Sequence, residues 1–436
     1  MNITVVGLGK IGLPLAVQCA GRGHTVVGAD VDPRVVAAVS AGTPPFPGEH
    51  DLDRQLQDVV TGGALTATTD TRTAVSSSDA VIVVVPLYVD RQGNPDFDAM
   101  DAATKEIAAG LRPGTLVVYE TTLPVGTTRT RFAPALEQGS GLGVGHDLFV
   151  AFSPERVLSG RVFADLRRYP KLVGGVDVAS ADRTRALYEA VLHFEPRDDL
   201  PRPNGVWDLG SSEAAELAKL AETTYRDVNI GLANQFALFA HQSGIDITAV
   251  IDACNSQPFS HIHRPGIAVG GHCIPVYPQF YLWNDPAATI VRSARQANET
   301  MPERLVALLE AQHGALSGAR VVVLGAAYRG GVKETAFSGV FPTVAALERR
   351  GADVSVTDPL FSDEELMRFG LRPYRTGSAV DAAVLQADHP QYAGLGPSDL
   401  PGIRTLLDGR DLLSRDDWPG VRVISLAAGA PPRAHH

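Results

Sequence analysis

Cysteine is scarce in this chain: Cys19, Cys254 and Cys273 are the only three in 436 residues. They form no CxxC pair and no spacing that, with histidine, would hold zinc. A disulfide framework is excluded, reduced thiols are expected and no metal is expected. The 12 histidines include His261, His263 and a terminal pair but no HExxH. Basic residues are also short, 38 Lys and Arg against 49 Asp and Glu, for a formal net charge of −11. Nucleic-acid surfaces concentrate Lys and Arg on one face, so no nucleic-acid partner is expected, while a small anion in a local positive pocket is compatible. No apolar run approaches a membrane span, which leaves no membrane partner. The opening MNITVVGLGKIGLP lacks a basic segment ahead of a cleavable apolar stretch, so a cytoplasmic location is expected.

A hydrophobic content of 44% with 20% charged residues is that of a globular protein, and the length suits two or three domains. Short Val/Ile-rich runs (NITVVGLG, HTVVGAD, DAVIVVVP, GTLVVYET, DLFVAFSPE) alternate with amphipathic stretches, the pattern of βαβ units with a parallel sheet covered on both faces. From Ser211 to Ala253 the pattern changes to long helices, with Gly244 as a stop between them, and a second helical region follows from Ala287 to Gln312. ARVVVLGAAYR then opens another strand-turn-helix, followed by ADVSVTDP, DAAVLQAD, GIRTLLDGR and RVISL. The expected fold class is α/β: two Rossmann-like doubly wound domains joined by a central helical domain. The expected boundaries are 1–205, 206–312 and 313–428, with a disordered tail at 429–436.

The first strand leads into VVGLGKIGLP, which places Gly7, Gly9 and Gly12 in G-x-G-x-x-G spacing, with Lys10 and Ile11 between the last two, at the start of a helix. Gly7 permits the tight turn, Gly9 the approach of a pyrophosphate to the backbone, and Gly12 close helix packing. Asp30 ends the second strand 18 residues after Gly12, where a carboxylate meets an adenosine ribose hydroxyl and favours NAD over NADP.

A second motif is GGHCIPVYP, residues 270–278. Free cysteine is among the most buried residue types, and Cys19 and Cys254 sit in periodic apolar runs as packed thiols do. Cys273 instead lies between Gly271 and Pro275, where glycine lets a ligand approach and proline stiffens the loop. Spacing alone leaves nucleophile and filler equally open.

At these residues the chain resembles the UDP-glucose/GDP-mannose dehydrogenase family, closest to the branch acting on UDP-N-acetylglucosamine and UDP-N-acetylmannosamine, whose cysteine motif reads GGHCIPVDP. The similarity runs from the glycine turn to about Leu413. It implies that Cys273 attacks a sugar aldehyde and carries a thioester. It also places Glu155 of SPERVLSG and Thr122 of YETTLPVGTT around the catalytic water, and Lys219 of AAELAKLAE beside an oxyanion. Without the resemblance, Glu155 would cap a turn, Thr122 would fill a strand and Lys219 would be a solvated helix position. Pro86, Thr122 and Glu155 join the glycine turn and Asp30 on the cofactor. Lys219, Asn255, Arg264, Gly270, Arg329 and Arg410 are implied on the substrate side, Arg410 of DGRDLL suiting a pyrophosphate through its planar fork. Phe259, His261, His263 and Arg264 are expected around the sugar, and SARQAN with Arg295 and Asn298 resembles the helix after the sugar loop. The resemblance implies a homodimer through the helix around 213–241, along the apolar face of Leu217, Leu220, Val228, Leu232 and Phe236.

Four positions depart from the family pattern. Tyr277 replaces an aspartate, and Thr223, on the helix face of Lys219, replaces an asparagine. Val85-Pro86-Leu87-Tyr88 replaces VPTP. Glu334-Thr335-Ala336-Phe337-Ser338 replaces D-x-R-E-S, losing an arginine toward the dinucleotide. Tyrosine, with an ordinary pKa of about 10, is a poor base at neutral pH, and a lost amide donor can weaken an oxyanion site by roughly 3 kcal/mol. The expected function is an NAD-dependent 6-dehydrogenase that oxidises a UDP-hexose, UDP-N-acetylhexosamines included, to a uronic acid in polysaccharide or natural-product biosynthesis. Two alternatives stand beside it. One is a redox-neutral NAD enzyme, an epimerase or dehydratase on a nucleotide sugar or nucleoside. The other is a non-catalytic nucleotide-sugar binder.

Overall fold

The apolar runs form strands because both their faces are buried, by helices packed above and below the sheet. A computed structural model describes residues 1–90, 92–158 and 160–426; the tail expected at 429–436 and the last two residues of the domain expected at 313–428 lie outside them. The chain forms two compact units, Met1–Glu222 and Thr223–His436.

In the first unit the strands are β1 (Asn2–Val6), β2 (Thr25–Ala29), β3 (Leu65–Thr68), β4 (Ala80–Val83), β5 (Tyr88–Val89), β6 (Pro95–Asp96), β7 (Leu116–Tyr119), β8 (Phe149–Phe152), β9 (Lys171–Gly175) and β10 (Val206–Asp208). Eight of them form one sheet in the order β10-β9-β8-β7-β4-β1-β2-β3, while β5 and β6 make a small hairpin. Central positions Val5, Ile82, Val118 and Ala151 are fully buried, each larger side chain contributing about 1.5–3 kcal/mol.

The sheet is parallel, as expected, with one exception: β9 runs antiparallel to β8, pairing Ala151 with Gly175 and Phe152 with Gly174. The link from β8 to β9 contains the seven-residue helix Val162–Arg168. The chain therefore turns back at the carboxyl end of β8 and delivers Lys171, the first residue of β9, to that end.

The second unit carries a five-stranded sheet of β11 (Arg320–Leu324), β12 (Asp353–Thr357), β13 (Ala382–Leu385), β14 (Thr405–Asp408) and β15 (Arg422–Ser425), parallel throughout in the order β12-β11-β13-β14-β15. Each lobe ties its first turn with the acid that follows its second strand. Asp30 accepts from Leu8 N at 2.8 Å, and Asp358 accepts from Ala326 N and Ala327 N at 2.8 and 2.9 Å.

The long helix Ser212–Gln242 continues into the second unit, whose further helices include Ile247–Asn255, Tyr277–Asn284, Thr289–Glu299 and Met301–His313. Among the described residues no helix is long and apolar enough to cross a membrane. Inside the second unit Asp227 receives Arg295 Nε and Nη2 at 2.6 and 2.7 Å and Asn298 Nδ2 at 2.7 Å. Arg295 and Asn298 are thus buried cross-links between helices, and Arg295 Nη1 also holds Pro275 O at 3.2 Å, two residues beyond Cys273. Leu217, Leu232 and Phe236 are exposed, whereas Leu220 is core.

Breaking a buried pair strands a charge. Arg295→Ala is expected to lower stability by about 3–5 kcal/mol, measured by urea unfolding, and Arg295→Lys is expected to recover little because an ammonium lacks the bidentate fork.

Candidate active site

In the first unit the expected cofactor residues gather past the carboxyl ends of five adjacent strands. Asp30 follows β2, the glycine turn follows β1, Pro86 follows β4, Thr122 follows β7 and Glu155 follows β8. Sheet order reverses between β1 and β4, so a crevice opens there, the usual dinucleotide position. The glycines divide the work physically. Gly7 has φ +94°, and a Cβ on Gly12 would lie 1.9 Å from Gly7 O. A Cβ on Gly9 would meet nothing within 4 Å, so Gly9 faces open space. The helix Gly12–Gly21 begins with no side-chain cap and no acidic residue in its first turn, leaving amides for an anion. Lys10 is exposed and Ile11 half-buried beside this opening. These residues fit NAD. Asp30 Oδ1 also accepts from Asp32 N at 2.9 Å, which fixes the carboxylate at the end of β2.

Next to this crevice lie three of the residues implied by the resemblance, Thr122, Glu155 and Lys219, on loops joined by hydrogen bonds. Thr121 Oγ1 donates to Val85 O at 2.6 Å, which joins the turns that carry Thr122 and Pro86. Glu155 N donates to Glu120 O at 3.3 Å, while Glu155 Oε1 accepts from its neighbour Arg156 N and from Val157 N at 2.7 Å. Lys219 is buried, unlike an ordinary helix lysine, and its Nζ donates to Glu155 O.

Two further carboxylates were not singled out in the sequence. Glu216, one turn before Lys219, accepts from Gly126 N at 2.5 Å, Thr128 N at 2.8 Å and Thr128 Oγ1 at 2.7 Å, pinning the loop after Thr122. Burial raises its carboxyl to about 7. Glu120 is fully buried and receives Lys171 Nζ at 2.8 Å and the Tyr188 hydroxyl. The available signal was a charged residue at the very end of an apolar run, as in LVVYE, or at its start, as in KLVGG.

In the second unit Cys273 is exposed, so it is not a packed filler. Its carbonyl accepts from Tyr277 N at 2.9 Å at the start of the helix Tyr277–Asn284. The paired glycines allow a close seat: a Cβ on Gly270 would lie 2.6 Å from Tyr328 Cβ and 2.9 Å from Phe337 O. Arg329 Nε donates to the Tyr328 hydroxyl at 3.2 Å, and Arg410 gives Nη2 to Tyr328 O at 3.2 Å and Nε to Gln386 O at 2.7 Å. Gly270, Arg329 and Arg410 therefore collect around Tyr328, past the ends of β11 and β14. Desolvation lowers the Arg410 guanidinium from its ordinary value, against the pull of Asp388 and Asp408. Thr223 is buried and Tyr277 half-buried, its ring 5.8 Å from Phe280.

Two expected substrate residues are occupied locally. Asn255 clamps Ile262 through its backbone N and O at 2.8 and 2.9 Å, and Arg264 pairs with Asp252. These local bonds, between residues only 7 and 12 apart, hold the turn that carries Phe259 and His261. Among the described residues no group of three or more His, Cys, Asp or Glu could hold a metal.

Three family models match in order: the NAD binding domain of the UDP-glucose/GDP-mannose dehydrogenase family over residues 1–192, its central domain over 213–300 and its UDP binding domain over 322–415. A UDP-N-acetyl-D-mannosamine dehydrogenase of Pyrococcus horikoshii is 34% identical over 422 residues, 95% of this chain and 96% of its own. The chain belongs to the UDP-glucose/GDP-mannose dehydrogenase family. A solved structure of a UDP-D-ManNAc dehydrogenase from P. horikoshii superposes with TM-score 0.87 at 32% identity, covering 99% of this chain and 100% of that one. A UDP-glucose dehydrogenase from Pyrobaculum islandicum gives TM-score 0.86 at 27% identity, with 98% of each chain covered. The protein is an NAD-dependent oxidoreductase of this nucleotide-sugar dehydrogenase family. The redox-neutral alternative is not favoured.

The two glycines give separable outcomes. Gly9→Ala should keep the wild-type melting temperature while weakening NAD by about tenfold or more in calorimetric titration. Gly12→Ala should lower the melting temperature itself, because its methyl has no space.

Proposed function

We propose that the protein oxidises the C6 alcohol of a UDP-N-acetylhexosamine, UDP-N-acetylmannosamine first, to the uronic acid. The observation that carries this reading is the exposed Cys273 in a glycine–proline loop seated on Tyr328, with Arg329 and Arg410 beside it. The names of the relatives at 34% and 32% identity support the sugar. Two NAD, bound in turn, would supply the hydride acceptors, one for each oxidation. Cys273 adds as thiolate to the C6 aldehyde, and oxidation of the thiohemiacetal gives a thioester. Water held by Thr122 and deprotonated toward Glu155 cleaves the thioester and restores the thiol, while Lys219 and Thr223 steady the oxyanion. Tyr277 replaces a carboxylate with a poor base, so proton removal falls to Glu155. Arg329 and Arg410 meet the diphosphate, and Gly270 lets the sugar approach the backbone. A reduced cytoplasm suits a thiol that must remain unoxidised.

The same reading includes a homodimer. Tyr225, Leu232, Phe236 and Phe239 are exposed at helical spacing on Ser212–Gln242, an apolar stripe of the kind that partners cover. Sedimentation should give about twice the 46.1 kDa chain mass, and Phe236→Glu with Leu232→Glu should give the monomer.

With excess NAD, UDP-N-acetylmannosamine should yield two NADH per sugar and a product that has lost two hydrogens and gained one oxygen. Cys273→Ala should lower acid formation by roughly 10³-fold or more. An isomer or dehydrated product without net NADH, or no turnover of any UDP-N-acetylhexosamine while UDP-glucose reacts, would show the substrate reading to be wrong.

A further inference from the structure

The turn that presents Arg329 is pinned at both ends by side chains that the proposed reaction does not use. It follows β11 as Gly325-Ala326-Ala327-Tyr328-Arg329-Gly330-Gly331. At its start Asp358 Oδ2 holds Ala326 N and Ala327 N. At its end the segment after β13 takes over: Asp388 Oδ1 accepts from Gly330 N at 2.7 Å, and His389 Nδ1 accepts from Gly331 N at 3.2 Å. The two ends are also tied to one another, because His389 Nε2 lies 3.0 Å from the same Asp358 Oδ2. Both side chains of this pair are fully buried. A backbone amide can only donate, so Nδ1 is the acceptor, and the ring hydrogen on Nε2 faces the carboxylate. Two glycines let the brace come close: a Cβ on Gly325 would lie 2.5 Å from Ala387 Cβ, and one on Gly330 2.1 Å from Asp388 O. Between the pinned ends stand Tyr328, half-buried, and Arg329, exposed.

We propose that His389 is a positioning residue for the diphosphate of the substrate: by bridging Asp358 to Gly331 N it fixes the turn that carries Tyr328 and Arg329. The inference rests on the reading that Arg329 and Arg410 meet the diphosphate. Arg329 gives its Nε to the adjacent Tyr328 hydroxyl, so the backbone of the turn sets where its guanidinium stands. Arg410 grips the same turn at Tyr328 O, and both arginines therefore depend on one stretch of main chain. With the amides of 326, 327, 330 and 331 bonded to buried or half-buried side chains, the turn is ordered before any ligand arrives, and binding costs less. Without the imidazole, Gly331 N loses its acceptor and Asp358 loses a donor. The far end of the turn then comes loose while Asp358 still holds its start.

The test uses the full chain with His389→Phe, which keeps a flat ring and removes both bonds, and His389→Asn, which returns an acceptor toward Gly331 N. UDP and NAD are titrated by calorimetry. His389→Phe should weaken UDP by about tenfold and raise KM for UDP-N-acetylmannosamine by the same factor, with kcat falling less than KM rises. NAD, which the first unit holds, should bind as in the wild type. His389→Asn should recover part of the lost UDP affinity. A histidine that only fills the core would lower the melting temperature and leave UDP affinity and KM unchanged; that result, or an equal loss in both variants, would overturn the inference. Hydrogen exchange gives a second reading that needs no ligand. The amides of 326–331 should exchange faster in His389→Phe while those of β11 and β13 keep their protection, and unchanged protection at the turn would overturn the inference as well. A wild-type protein that binds no UDP would count against the reading of Arg329 and Arg410, and exchange at the turn would still decide whether His389 holds it.

Discussion

Strand polarity is the constraint on which the N-terminal site depends. Parallel strands place all their carboxyl ends on one edge, and five adjoining strands present Asp30, the glycine turn, Pro86, Thr122 and Glu155 along it. The residues are far apart in sequence, from position 7 to position 155, and no local interaction could gather them. Hydrogen bonds then fix what polarity collects: Asp30 to the amide of Leu8, Thr121 to Val85, and Glu155 to the amides of its own loop. Function is therefore carried by turns, while the buried strands hold them in register.

The one break in polarity adds the component that parallel strands do not supply. Because β9 turns back, its first residue lies at the same edge as the last residues of β7 and β8. A lysine placed there is flanked by acids and buried by the sheet. Burial raises the Glu120 carboxyl to about 7, and Lys171 pulls it back toward the ionised form. Electrostatics at this edge is thus a product of topology as much as of residue type.

The glycine turn was legible because its chemistry is local: spacing, a preceding strand and a following helix specify it, and the contacts of Gly7 and Gly12 show the physical need. The two α/β lobes were legible from alternating apolar runs for the same reason. The Glu120–Lys171 pair was not, because it joins residues 51 apart through a strand reversal that leaves no periodic trace. Glu216 was hidden within a helix pattern in which any polar residue reads as solvent-facing. Asn255 and Arg264, assigned to the sugar by resemblance, close a turn locally, whereas Arg295 and Asn298 form a buried cross-link that braces Pro275. Resemblance transfers a position, and the bonds around it decide whether the side chain is free to meet a ligand.

The departures from the family pattern acquire physical weight from this arrangement. Tyr277 puts a weakly acidic hydroxyl where the family has a carboxylate, so the second unit offers no strong base in the segment after Cys273. In the proposed reaction that task passes to Glu155, whose Oε1 is held by the amides of its own loop.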